Sequence, residues 1–319
     1  MLRLSTALTI PLALIALPAL AEPPAVLTDI APVHALVSRV MDGVGTPDLL
    51  LPPGTSPHDF SMRPSDAARL SQAGLVVWVG EDLTPWLEDP IETLARGAVH
   101  LELLETRGWT ELYLREDANF AHDDDDHDDH DDHDDHDDDD DHDDDDDHDD
   151  TDPHAWLDPA VASVWLGVIA EALAAQDAGN AAIYRANAVA GQAEYAVLRT
   201  EITAQLAPFA GRAFIVPHDA YQYFETAFGL PAAGAISLSD AASPGPARVA
   251  ELRNRIAVEG IACVLTDPQT SAEWGAVLRE GSGARTAKVD PDGGSQGTGA
   301  ALYPALIRSM ADALADCLQ

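Results

Sequence analysis

Three histidines and one aspartate stand out by their settings: His58 in LPPGTSPHDF, His154 in DPHAWLDP, His218 in FIVPHDAYQYFE and Asp290 in AKVDPDG. His58 comes just after the apolar PDLLL, His218 lies two residues past a strand-like run, and Asp290 follows the β-prone Arg285–Val289. Ligands of open α/β sheets bind beyond the carboxyl ends of the strands, so side chains at such positions are placed to converge. Three imidazoles and one carboxylate make a tetrahedral N3O set, which suits Zn2+. The four residues are far apart in the chain, so their local settings carry the reading and their spacing does not. His34 and His100 lack a comparable setting and read as hydrogen-bonded structural residues.

A second group of potential ligands has a different character. Residues 122 to 150 are all Asp or His, with 22 Asp and seven His: His122, His127, His130, His133, His136, His142 and His148. A segment with nothing apolar to bury is expected to be disordered without ligand. Asp-based Ca2+ loops also need a glycine for their tight turn, and none occurs here. The interspersed imidazoles point instead to weak, multi-site capture of Zn2+, Cu2+ or Ni2+, which would raise the metal concentration near His154.

The chain carries 17 Lys+Arg against 56 Asp+Glu, a formal net charge of −39, and without the Asp/His run 34 acids still face 17 bases. That balance excludes a nucleic-acid or anionic-membrane binder, because phosphate contacts need clustered Lys and Arg. No HExxH motif is present, and no G-x-S-x-G nucleophile elbow is expected, so a zinc hydrolase is the weaker alternative to a binding protein.

The elements that must position these residues alternate in type. Pro64–Ala73 reads as a helix with Pro in its first turn and Gly74 as its stop, followed by the strand Leu75–Val79. Ala213–Val216 and Ile261–Thr266 read as strands, with the helix Arg248–Val258 before the second. Alternating strands and helices imply parallel α/β sheets. From 180 to 206, Ile183, Ala186, Ala190, Ala193 and Val197 mark one helical face, and Tyr195, Leu198, Ile202 and Leu206 a second apolar line. A helix of that length spans about 40 Å and reads as a rigid spine joining two α/β lobes. The division expected is 22–179 for the first lobe, 180–206 for the linking helix and 207–319 for the second lobe.

The N-terminus, with Arg3, an apolar stretch from Ala7 to Leu17 and the Ala19-Leu20-Ala21 site, reads as a signal peptide over 1–21. No later segment reads as apolar enough to span a membrane. In an oxidising compartment the two cysteines, Cys263 and Cys317, are expected to form a disulfide.

PHDF, DPHAWLDP, HDAYQYFE, TDPQT (266–270) and KVDPDG occur in the order seen in periplasmic metal-binding proteins of ABC transporters. Across essentially its whole mature length the chain resembles the zinc-uptake solute-binding proteins, and the Asp/His insertion and the cysteine pair are similar to those of the zinc members. The resemblance implies two α/β lobes, a long connecting helix and one Zn2+ site in the interlobe cleft. It maps the ligands onto His58, His154, His218 and Asp290, with another carboxylate or water as alternatives for the fourth. It also implies a monomer in the periplasm that serves an inner-membrane permease with its ATPase, with an auxiliary zinc chaperone as a candidate further partner. Manganese members carry Glu where this chain has His218, which leaves a manganese protein, or a zinc buffer without a transporter, as alternatives. The departure is TDPQT, where zinc members usually show Glu in place of Asp267.

Overall fold

The computed structural model describes residues 23–120, 151–239 and 243–319. The expected signal peptide and the Asp/His run, with its seven histidines, lie outside the described residues.

Two four-stranded sheets are present, each wholly parallel. The first holds β1 (Val26–Thr28), β2 (Asp48–Leu49), β3 (Leu75–Trp78) and β4 (Val99–Glu102), in the order β2-β1-β3-β4. The second holds β5 (Phe214–Val216), β6 (Gly234–Ala235), β7 (Cys263–Thr266) and β8 (Arg285–Lys288), in the order β6-β5-β7-β8. The two halves thus repeat one topology. The central strands β1, β3, β5 and β7 are buried along their whole length. That is why they are mainly apolar runs, with a threonine only at the ends of β1 and β7, since helices cover both faces of a parallel sheet. The edge strands β4 and β8 are largely exposed and carry polar residues.

The helices are α1 (Ala31–Val40), α2 (Pro64–Gln72), α3 (Glu88–Leu94), α4 (Pro159–Gln176), α5 (Ala181–Leu206), α6 (Gln222–Phe228), α7 (Pro246–Glu259), α8 (Ala272–Arg279) and α9 (Leu302–Leu318). The long helix α5 packs on α1 and α4 from the first half and on α6 and α9 from the second. Its buried residues are Tyr184, Ala188, Gly191, Tyr195, Leu198, Ile202 and Leu206. This corrects one expectation. The line through Ile183 and Val197 faces outward, with Val197 66% exposed, while the line with the larger side chains faces in. Burial follows apolar area, and the tyrosine–leucine seam has more of it to remove from water. Gly191 lets α4 approach, since a Cβ there would stand 2.7 Å from Leu166 Cδ1.

A second correction concerns α4. By length and composition it is apolar enough to cross a membrane. It serves instead as a core helix, with Trp165, Leu166, Ile169 and Leu173 fully buried against α1 and α5.

Cys263 and Cys317 are linked, tying β7 to the end of α9 with a Cα–Cα distance of 5.6 Å. Between β4 and α4, residues 112–120 run across to the second half. Leu112 N donates to Tyr223 Oη, and the Arg115 guanidinium pairs with Asp219 (3.0 Å) and Glu225 (2.9 Å). Farther on, Ala235 N donates to Ala118 O. The halves also meet at Gly294, where a Cβ would lie 2.7 Å from Gly54 N.

Candidate metal centre

Each of the three histidines sits on a segment held by a different device. His58 follows β2 in a proline-rich loop. The side chain of Arg69 on α2 donates to the carbonyls of Leu49 and Leu50 at the loop's base. Trp86 Nε1 donates to Pro57 O at 2.7 Å, and the Trp86 ring packs 5.0 Å from Phe60, so the loop is clamped on both sides of His58. His58 is half-buried.

His154 precedes a single 3-10 turn, Ala155–Leu157, that leads into α4. Asp158 caps α4 by accepting from Ala160 N at 2.7 Å, with Pro159 at the first helical position, an arrangement suited to a helix N-terminus. Asp152 Oδ1 accepts the His154 backbone amide at 3.0 Å and lies 2.8 Å from its Nδ1. The neighbouring Trp156 is fully buried; its Nε1 donates to Pro291 O at 2.9 Å, and its carbonyl accepts from Tyr303 Oη at 2.8 Å. The loop bearing Asp290 is thereby tied to the segment bearing His154.

His218 lies two residues beyond β5, and its Nδ1 is 3.1 Å from Asp267 Oδ2, one residue beyond β7. His154 and His218 are both buried, at 5% and 4% exposure. Each has Nδ1 beside a buried carboxylate, so a tautomer with the proton on Nδ1 would make Nε2 the nitrogen able to ligate a metal. Carboxylate–histidine–metal pairs of this kind fix ring orientation and raise the basicity of the ligand.

The rings are gathered together. The centroids of His58 and His154 stand 5.5 Å apart, and those of His154 and His218 stand 5.9 Å apart. At a Zn–N distance of ~2.0–2.1 Å, a ligating ring has its centroid roughly 3.2 Å from the metal, so two ligands at a tetrahedral angle are roughly 5.2 Å apart. The observed separations are within about 1 Å of that value. Among the described residues, no three His, Cys, Asp or Glu side chains are already drawn into a closed coordination group.

Asp290 is half-buried and closes its own turn, accepting Ser295 N at Oδ2 (3.0 Å) and Gly293 N at its carbonyl (3.2 Å). Two residues on, Asp292 is 8% exposed and accepts from Gln269 Nε2. Burial and the charge of Asp290 push the Asp292 carboxyl up to about 7, while His218 and Gln269 act against this rise. Asp152 is likewise pushed up to about 7 by burial, opposed by its hydrogen bond to the His154 amide and by the charge of Arg115. Asp267 behaves differently. Burial raises it, but hydrogen bonds from His218 and Thr270 outweigh that and hold it below the usual carboxylate range.

His34 and His100 are the structural residues expected: His34 Nε2 lies 3.1 Å from Pro47 O and His100 Nε2 3.0 Å from Ala95 O. The pentapeptide pattern G-x-S-x-G does occur at 293–297, contrary to expectation. Ser295 there is exposed in the turn after Asp290, well past β8 and before α9, so it forms no strand-to-helix elbow. No sequence motif assigns a role to Asp152, Asp292, Arg115, Trp86 or Tyr221. Asp152 could have been found, since an Asp two residues before a candidate ligand can reach its Nδ1. The others are brought in only by tertiary contacts.

Comparison with known proteins identifies the family. Residues 26–317 match the family model of ZnuA, described as zinc-uptake complex component A, periplasmic. A high-affinity zinc uptake system protein ZnuA from Paracoccus denitrificans is 46% identical over 310 residues, covering 95% of this chain and 94% of that one. A protein of the same name from Brucella abortus is 41% identical over 304 residues, covering 92% and 91%. A solved structure of a ZnuA superposes with a TM-score of 0.73 over 93% of this chain and 100% of its own, at 19% identity, and so supports the fold. Two like-ordered parallel sheets, a long helix touching both halves and this match over nearly the whole length place the chain in the ZnuA family of periplasmic zinc-uptake components.

Proposed function

We propose that this protein captures Zn2+ in the periplasm and hands it to the permease of an ABC transporter for import. The observation that carries the reading is the gathering of His58, His154 and His218 at centroid separations of 5.5 and 5.9 Å, two of them backed by buried carboxylates. In this reading His58, His154 and His218 supply the nitrogen ligands and Asp290 the oxygen. Nitrogen-rich coordination favours zinc over manganese. The site lies where residues 22–179 and 207–319, taken as lobes, face each other across the helix spanning 180–206. Support for that division comes from α5, which packs on helices of both halves. The protein acts as a binding component without catalysis, as a monomer, with the permease and its ATPase as partners. The seven histidines of the Asp/His run serve as weak capture sites.

The test is the metal content of protein exported to the periplasm without a histidine tag and without residues 122–150. One zinc per chain, with an X-ray absorption edge fitted by three imidazole nitrogens and one oxygen, is expected. Manganese in its place, or a shell made of oxygens alone, would refute the assignment.

A further inference from the structure

We infer that Tyr221 is a positioning residue for the metal site: with Thr270 it locks Asp267 in the one orientation that points His218 Nε2 at the metal. The inference rests on the proposed role of His218 as a zinc ligand, and it names how that ligand is held.

Asp267 is 3% exposed, and both of its oxygens are engaged. Oδ1 accepts Thr270 N and Thr270 Oγ1, both at 2.7 Å, which closes the TDPQT turn around the carboxylate. Oδ2 is shared: His218 Nδ1 lies 3.1 Å away, and Tyr221 Oη donates to it at 3.3 Å. Tyr221 is 2% exposed, one residue before α6, with its ring centroid 6.0 Å from that of His218. One oxygen is therefore fixed by the turn that carries Asp267, and the other by a side chain from the segment that carries His218. The hydroxyl thus joins the loop after β5 to the loop after β7 across the carboxylate.

The arrangement also accounts for a short side chain in this position. An aspartate has one methylene fewer than a glutamate, so its reach to His218 depends on where the loop places its Cα. A carboxylate free to rotate about χ2 would let the imidazole turn with it, and Nε2 would leave its place. Supporting contacts of this kind decide whether a ligand is held within about 0.5 Å of productive geometry. Removing such a partner of a metal ligand typically lowers metal affinity about 10–100-fold. A contact one step farther from the metal should act at the lower end of that range.

The experiment uses the full chain with Co2+ as a spectroscopic probe and Zn2+ in chelator competition. Tyr221→Phe is expected to lower zinc affinity about tenfold and to shift the visible d–d bands of bound Co2+, which report ligand geometry. Tyr223→Phe, which removes a hydroxyl bonded to Leu112 N instead, should leave the cobalt spectrum unchanged. Thr270→Ser should keep wild-type affinity, and Thr270→Val should lose it in the same direction as Tyr221→Phe. A folded Tyr221→Phe protein with wild-type affinity and cobalt spectrum would overturn the inference. Should that variant not fold, equal affinities for Thr270→Val and Thr270→Ser would overturn it in its place. His218→Ala separates the two levels: undiminished affinity there would refute the ligand assignment itself, and this inference with it.

Discussion

Asp152→Ala separates what a buried carboxylate does for the fold from what it does for the metal. Its Oδ1 serves two donors of His154, the backbone amide at 3.0 Å and Nδ1 at 2.8 Å, with no exposure to solvent. Alanine leaves both donors without an acceptor in a residue that is 5% exposed. A buried donor without a partner costs about 1–3 kcal/mol. The amide hydrogen bond is the same with and without zinc, so its loss lowers the stability of the metal-free protein and leaves affinity alone. The Nδ1 contact differs, because a metal on Nε2 makes the Nδ1–H a stronger donor. Only that difference appears in binding, and it should raise the zinc dissociation constant about 10–100-fold, or about 1.4–2.8 kcal/mol. Competition against a chromogenic chelator measures the second effect, and melting with excess chelator measures the first. A lower melting temperature with zinc affinity within about twofold of wild type would refute the reasoning, since Asp152 would then support the loop alone.

Two further outcomes follow from the structure. Replacing both Cys263 and Cys317 by serine opens a loop of 54 residues. It should lower stability by about 4 kcal/mol in the chain-entropy model, seen as a melting temperature about 10 °C lower, with zinc stoichiometry unchanged; an unshifted melt would contradict it. Zinc affinity should fall as pH falls, because ligating imidazoles must be neutral and lowering the pH protonates them. The Asp152 carboxyl, pushed up to about 7 by burial, acts in the same direction: below that pH it is neutral, and a neutral carboxyl is a weaker acceptor than a carboxylate for the Nδ1–H of a metal-bound His154. The affinity should be at least about tenfold weaker at pH 5.5 than at pH 7.5, with proton release detected by calorimetry in buffers of different ionisation enthalpy. A flat profile over that range would contradict the imidazole set.

Much of the architecture was legible because parallel α/β folds write their elements plainly. The buried strands β3 and β7 are the apolar runs LVVW and CVLT, and the helix expected over 180–206 is α5, Ala181–Leu206. The facing of α5 was not legible, because small apolar residues line its outer side as well, and only packing shows which line lies against α1, α4 and α9. The site divides in the same way. The gathering of His58, His154 and His218 could be expected from motifs at loop starts. What holds them could not: Trp86 reaches back 29 residues to Pro57, Asp267 stands 49 residues beyond His218, and Trp156 meets a carbonyl 135 residues on. Such partners carry no local pattern, since they are specified by loops folded together within one half, as for Trp86 and Asp267, or by contact between the halves, as for Trp156.

The most direct test of the central claim is a calorimetric zinc titration of the chain lacking residues 122–150, run beside its His154→Ala form. Flexible ligands must be ordered on binding, and that entropy opposes affinity, whereas ligands on a packed scaffold need less ordering. The deletion is expected to remove weak sites and leave one tight zinc per chain, and His154→Ala is expected to abolish this tight binding. A folded deletion protein without a tight site would show that the Asp/His run is the principal receptor, and would contradict the cleft assignment.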